Sequence, residues 1–148
     1  MAKQVQHAAL EKYAHPSIDT ASNGPFMVAI VGNPGSGKST SSSILTGLLE
    51  DVGCLRMPCD GYHYPVKTLK KFGDPEDFIK RRGAPGTTSD VKAAKTHLET
   101  IHFGDKKAVK VPGFDHAVGN STPSAHAFDR DEHHVIIAEG LYLLHDTH

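Results

Sequence analysis

The chain is 148 residues long, a size for one domain rather than two. With 38% hydrophobic and 22% charged residues it reads as globular, not disordered. Sixteen Lys and Arg against seventeen Asp and Glu leave a formal charge of -1, which excludes a global basic excess for nucleic acid or an anionic membrane, and no apolar run approaches the ~20 residues of a membrane span.

In chain order, residues 2–14 predict a short helix on the weak periodicity of Val5, Ala9 and Tyr13. Ser22-Asn23-Gly24-Pro25 is loop chemistry, so residues 1–25 are expected as a helix and linker ahead of a core over 26–148. Phe26 to Val31 has the length and apolarity of a fully buried strand. Lys38 to Asp51 predicts a helix with Ile44, Leu45, Leu48 and Leu49 on its inner face. Leu55 to Cys59 predicts a second strand, at an edge because Pro58 removes a ladder donor.

Residues 65–80 suggest short helices split at Gly73-Asp74-Pro75. A clearer helix follows, capped by Ser89 or Thr88, with Asp90 in its first turn and a stripe of Val91, Ala94, Leu98 and Ile101. Ala108 to Val111 is a short extended segment that Pro112 should end, and Gly113 to Arg130 is expected as a long loop. Val135-Ile136-Ile137-Ala138 predicts another buried strand, closed by Glu139-Gly140. Strands alternating with helices predict an α/β fold with a mainly parallel sheet.

Two cysteines exclude a disulfide-rich secreted scaffold. Cys54 and Cys59 should face opposite sides of their strand and stay reduced. Residues 1–13 carry Lys3, Glu11 and Lys12 and lack the apolar stretch of a secretory signal, so a reducing compartment, the cytoplasm by default, is expected. The eleven histidines show no complete metal-ligand spacing.

The strongest motif is Gly32-Asn33-Pro34-Gly35-Ser36-Gly37-Lys38-Ser39, which with Thr40 fits G-x-x-x-x-G-K-[ST], a Walker A phosphate loop. Its glycines permit left-handed angles and close approach to a phosphate, and successive N–H groups with a helix N-terminus form an anion nest. Lys38 suits the outer phosphates, and the Ser39 hydroxyl suits a Mg²⁺ that keeps most of its waters. The pattern expects a nucleoside triphosphate. With no N-K-x-D or T-K-x-D string for guanine, ATP is the expected one.

Asp60 ends the second strand, where strand ends of an open parallel sheet line a ligand crevice. There it can take a proton from an attacking hydroxyl, or it is a turn aspartate. Glu139 ends the last strand and suits a Mg²⁺-water ligand or a water-orienting group beside Ser39, or it is a strand-end surface glutamate. Arg81-Arg82 suits phosphate or carboxylate recognition, and equally a solvated charge pair. Asp115 and His116 either hold substrate hydroxyls or brace their loop.

In their order and spacing, the segments Gly32–Thr40, Asp60-Gly61-Tyr62-His63-Tyr64-Pro65, Arg81-Arg82-Gly83-Ala84-Pro85, Val109 to His116 and Glu139 to Leu144 resemble the phosphoribulokinase, uridine kinase and bacterial pantothenate kinase superfamily of P-loop kinases, nearest its uridine-kinase-like ATP-dependent kinases. The resemblance implies a three-layer α/β/α fold and transfer of the ATP γ-phosphate, with Mg²⁺, to a hydroxyl of a small metabolite such as a nucleoside, a sugar or a pantothenate-like alcohol. It implies Lys38 and Ser39 at the phosphate and metal positions, Asp60 as general base and Glu139 near the metal. It puts Tyr64, Arg81, Arg82, Asp115 and His116 on the substrate side. Members of the superfamily continue beyond the strand ending at Glu139 into further strands and an arginine-bearing lid. No arginine follows Arg130 in 1–148, so a missing C-terminal part is expected. The rival expectations are a nucleotide-binding module without useful catalysis and a P-loop ATPase.

Overall fold

In the computed structural model, the described residues are 24–74 and 87–143, with isolated positions 1, 3, 4, 7, 76 and 77. Most of the expected helix over 2–14, and Arg81 and Arg82, lie outside them. The most apolar segment sits at the centre. β5 (Val135–Gly140) has all six residues buried and pairs in parallel with β1 (Phe26–Val31) on one side and β2 (Cys54–Pro58) on the other. β2 is an edge of this three-stranded sheet, where the missing N–H of Pro58 is tolerated.

Alternation along the strands sorts side chains to two faces. Val135 and Ile137 join Leu45 and Leu49 on one face, and Ile136 and Met57 join Ile101, Val109, Val111 and Phe128 on the other. The first face is covered by α1 (Lys38–Leu48) and the 3₁₀ turn at Glu50–Val52. The expected stripe on α1 is only half correct. Leu45 and Leu49 are buried, but Ile44 and Leu48 are exposed, because a helix one turn deep on a sheet buries one i,i+4 row.

The second face carries α3 (Val91–His102) and a hairpin of β3 (Ala108–Asp115) and β4 (Asn120–Asp129), and α2 (Val66–Leu69) lies beside the hairpin, its Val66 N–H donating to Asn120 Oδ1 at 3.4 Å. On α3, Ala94 and Leu98 pack inward and Ile101 is fully buried, whereas Val91 is exposed. Its N-cap is Asp90, whose carboxylate accepts from the Ala93 N–H at 2.9 Å, not Ser89 or Thr88 as the sequence suggested.

The hairpin replaces the expected long loop. β3 runs through Pro112, since a register shift between Val111 and Gly113 falls where proline has no N–H to give. β3 alternates and buries Val109, Val111 and Gly113. β4, Asn120–Asp129, buries Phe128 alone, so it carries no apolar alternation to read. No described helix is long and apolar enough to cross a membrane.

Phe128 is fully buried, with the Arg130 guanidinium 5.4 Å above its ring. Phe128→Ala is expected to cost ~3–5 kcal/mol in urea unfolding. Thr122→Ala, on the exposed stretch of β4, should stay within ~0.5 kcal/mol. Equal losses would mean that β4 is not anchored through Phe128.

Candidate active site

Strand register brings the chemistry together. Ile30 lies opposite Glu139 on one side and Pro58 opposite Glu139 on the other. The turns that follow β1 and β2 therefore start level with that carboxylate, at the carboxyl ends of the parallel strands. After β1, the 32–37 loop turns through Gly35 and Gly37 at φ 76° and 82°, angles that side-chain-bearing residues rarely adopt. It then opens α1 at Lys38 with no side-chain cap. The Lys38 ammonium donates to the Asn33 carbonyl at 2.9 Å.

Glu139 is 4% exposed, so its carboxylate needs partners. The Ser39 hydroxyl lies 3.1 and 3.2 Å from its two oxygens, and Arg56 Nη2 donates to Oε1 at 2.8 Å. The sequence reading paired Ser39 with Glu139 but missed Arg56. Arg56 is the only charged residue of β2, and its pairing follows only once the sheet order sets β2 beside β5.

After β2, the 3₁₀ turn Cys59–Tyr62 carries Asp60. Gly61 is needed there by proximity, since a Cβ would come within 2.7 Å of the Pro112 carbonyl oxygen. Asp60 lies 3.5 Å from His63 Nε2. Hydrogen bonding from His63 is the main influence holding the Asp60 carboxyl below its usual range. Partial burial opposes it, and the charges of His63, His116 and Lys38 add to it.

Asp60, Lys38, His63 and His116 line one cavity of about 610 Å³, walled on the far side by Ala94 and Leu98 of α3. Not every expected residue reaches it. The Tyr64 ring packs against Phe72, 6.0 Å between centroids, off the cavity wall. Asp115 is exposed and caps the hairpin turn, accepting from the N–H groups of Ala117 and Val118 at 2.9 and 3.3 Å. Asp115 thus braces its turn, and His116 lines the cavity. No group of three or more metal-binding side chains occurs among the described residues.

No family model matches the chain. Among curated proteins it is 31% identical over 121 residues to YFH7 of Saccharomyces cerevisiae, named an ATP-dependent kinase, covering 61% of this chain and 33% of that one. It is 30% identical over 122 residues to C227.14 of Schizosaccharomyces pombe, named as a candidate uridine kinase, covering 80% of this chain and 51% of that one. A solved structure from Silicibacter sp. TM1040, described as a candidate fructose transport system kinase, superposes with a TM-score of 0.73 at 30% identity over 99% of this chain and 65% of that one. The fold and the relatives thus define the class as P-loop kinases of α/β architecture, as the motifs implied. The curated relatives are named an ATP-dependent kinase and a candidate uridine kinase. The chain spans about a third to a half of the length of these curated relatives.

Both cysteines are free thiols. Burial, and behind it the charges of Asp60 and Glu139, push Cys59 up to about 12, while burial pushes Cys54 to about 11. At pH 8 the folded chain should therefore be alkylated at Cys59 roughly 10³-fold more slowly than the urea-unfolded chain, since only the thiolate reacts. Cys54 should label first. Mass spectrometry of iodoacetamide-treated peptides reads both rates, and fast native labelling of Cys59 would place it in a different environment.

Proposed function

We propose that the chain transfers the γ-phosphoryl group of ATP to a hydroxyl of a small metabolite, with Mg²⁺. The observation that carries this reading is that Lys38 of the glycine loop and Asp60 of the β2 turn face one cavity. Phosphoryl transfer requires little covalent chemistry from protein, so catalysis consists of positioning and charge. Both are available from these residues.

The donor set fits the expected ligands. Gly35 and Gly37 have open space where a side chain would stand, which lets backbone come against a phosphate chain at the start of α1. The Ser39 hydroxyl and the Glu139 carboxylate present hard oxygens side by side. Bound there, Mg²⁺ would supply positive charge to the phosphate oxygens. Lys38, released from the Asn33 carbonyl, would hold the outer phosphates. Asp60 would orient the acceptor hydroxyl and take its proton as the new P–O bond forms, a role that its depressed carboxyl favours by keeping it ionised. His116, which lines the same cavity, would stand on the acceptor side. Arg81 and Arg82 remain proposed as anion contacts on that side. The mixed wall of apolar, imidazole and charged side chains would accommodate a small hydroxylated acceptor.

Asp60→Asn should lower kcat by roughly 10²–10⁴ while leaving Mg·ATP affinity within about threefold. Lys38→Ala should abolish ATP binding in a calorimetric titration. The assay is ATP, Mg²⁺ and a panel of nucleosides, sugars and pantothenate-like alcohols. Equal turnover by wild type and Asp60→Asn would remove Asp60 from this role, and ATP hydrolysis unaffected by any acceptor would favour an ATPase instead.

A further inference from the structure

Ser89 is the feature that the sequence assigned to a helix cap and the structure uses elsewhere. Its hydroxyl lies 2.8 Å from His63 Nδ1. The other ring nitrogen, Nε2, faces Asp60 Oδ1 at 3.5 Å. Three side chains from two separate segments thus form one line ending on the carboxylate, and all three border the same cavity.

The backbone fixes that line. His63 and Ser89 are partners in an isolated antiparallel bridge. On either side of it the Tyr64 N–H donates to the Thr88 carbonyl at 2.9 Å and the Asp90 N–H donates to the Tyr62 carbonyl at 2.8 Å. His63 itself donates its N–H to the Asp60 carbonyl at 3.1 Å, closing the 3₁₀ turn. The ring is 12% exposed and meets the Phe114 ring edge-on, 5.9 Å between centroids at 72°. With both nitrogens directed at named partners and Phe114 packed beside it, the imidazole has little freedom to turn.

We propose that His63 and Ser89 are positioning residues for Asp60: Ser89 sets the orientation and tautomer of the His63 ring, and the ring's Nε2–H holds the Asp60 carboxylate in the direction of the acceptor hydroxyl. With the proton on Nε2, Nδ1 is an acceptor, and the Ser89 hydroxyl donates to it. A carboxylate on a short turn keeps free rotation about two side-chain bonds, and one fixed donor removes much of it. The inference rests on the reading of Asp60 as the base. It goes beyond it by naming what aims the base.

Two measurements test it. In steady-state kinetics, His63→Ala should lower kcat roughly 10- to 100-fold, the worth of a hydrogen bond to a charged group, with the KM values for ATP and acceptor within about threefold. His63→Gln, which returns an N–H near the Nε2 position, should recover part of the loss. Ser89→Ala should cost roughly 3- to 10-fold, as for a neutral hydrogen bond, and Ser89→Thr should restore it. The His63→Ala/Ser89→Ala double variant should be no slower than His63→Ala alone, because Ser89 acts only through the ring. A rise in acceptor KM with kcat unchanged would make His63 a substrate contact and overturn the proposal, as would additive losses in the double variant.

The second measurement is independent of turnover. In ¹⁵N-histidine NMR spectra of the full chain, His63 should show the Nε2–H tautomer, and Ser89→Ala and Asp60→Asn should each shift its ring nitrogens. Ring signals unmoved by both substitutions would refute the chain of bonds even if the kinase reading stands. Shifted signals would support it even in a preparation that phosphorylates no acceptor in the panel, a result that would count against the kinase reading alone.

Discussion

A carboxylate at the end of the most buried strand constrains the whole molecule. Glu139 is nearly inaccessible, and a charge in that position is tolerated only with close partners. They come from two other elements, Arg56 on β2 and Ser39 in the first turn of α1. Satisfying one side chain therefore draws the edge strand, the central strand and the helix to a common level. The fit is not complete, because Arg56 Nε is buried without a hydrogen-bond partner among the described residues. That arrangement favours charge placement at the strand ends over the best achievable stability, as expected of a site rather than a core.

From that level the two loops leave in useful directions. The turn after β1 reverses through two left-handed glycines and presents a helix N-terminus. The turn after β2 is tighter, a single 3₁₀ turn pressed against the Pro112–Gly113 backbone at Gly61. One loop offers a positive field for anions and the other an ionised carboxylate, and the parallel register sets them side by side. The unbroken apolar run Val135–Ala138 of β5 matters here because it presents apolar side chains to both faces of the sheet and leaves the strand end for polar work.

Much of this was legible in the sequence, for definable reasons. The apolar runs 26–31 and 135–138 form strands as expected, although β1, at an edge, is only partly buried and not fully buried as the run suggested, and the glycine loop between a strand and a helix has few alternative meanings. Pro58 correctly marked an edge. Arg56 could not be paired with Glu139, because β2 and β5 are neighbours only through the crossover order of the sheet. The β3–β4 hairpin stayed hidden because β4 buries one side chain and contains Pro123 and a left-handed Ser124, so nothing in it alternates. Ser89 looked like a cap because serine before a helix usually is one, yet Asp90 holds the cap and frees the hydroxyl for His63.

The hairpin missed by the sequence reading also changes the electrostatics of the site. His116 sits in its turn, Lys38 at the start of α1, and His63 just after the β2 turn, and all three lower the Asp60 carboxyl. Asp60 therefore draws first on His63, three residues along the same segment, and then on His116 and Lys38 from distant parts of the chain, so its acidity combines a local contact with tertiary assembly. A depressed carboxyl contributes stability above its unfolded value and loses it as pH falls through the folded one. Lys38, one of the groups that lower the Asp60 carboxyl, also faces the cavity where negative phosphate oxygens would lie. Anion binding would draw on the same ammonium, weakening its hold on the carboxyl and raising the proton affinity of Asp60 at the stage of the reaction when a base is needed.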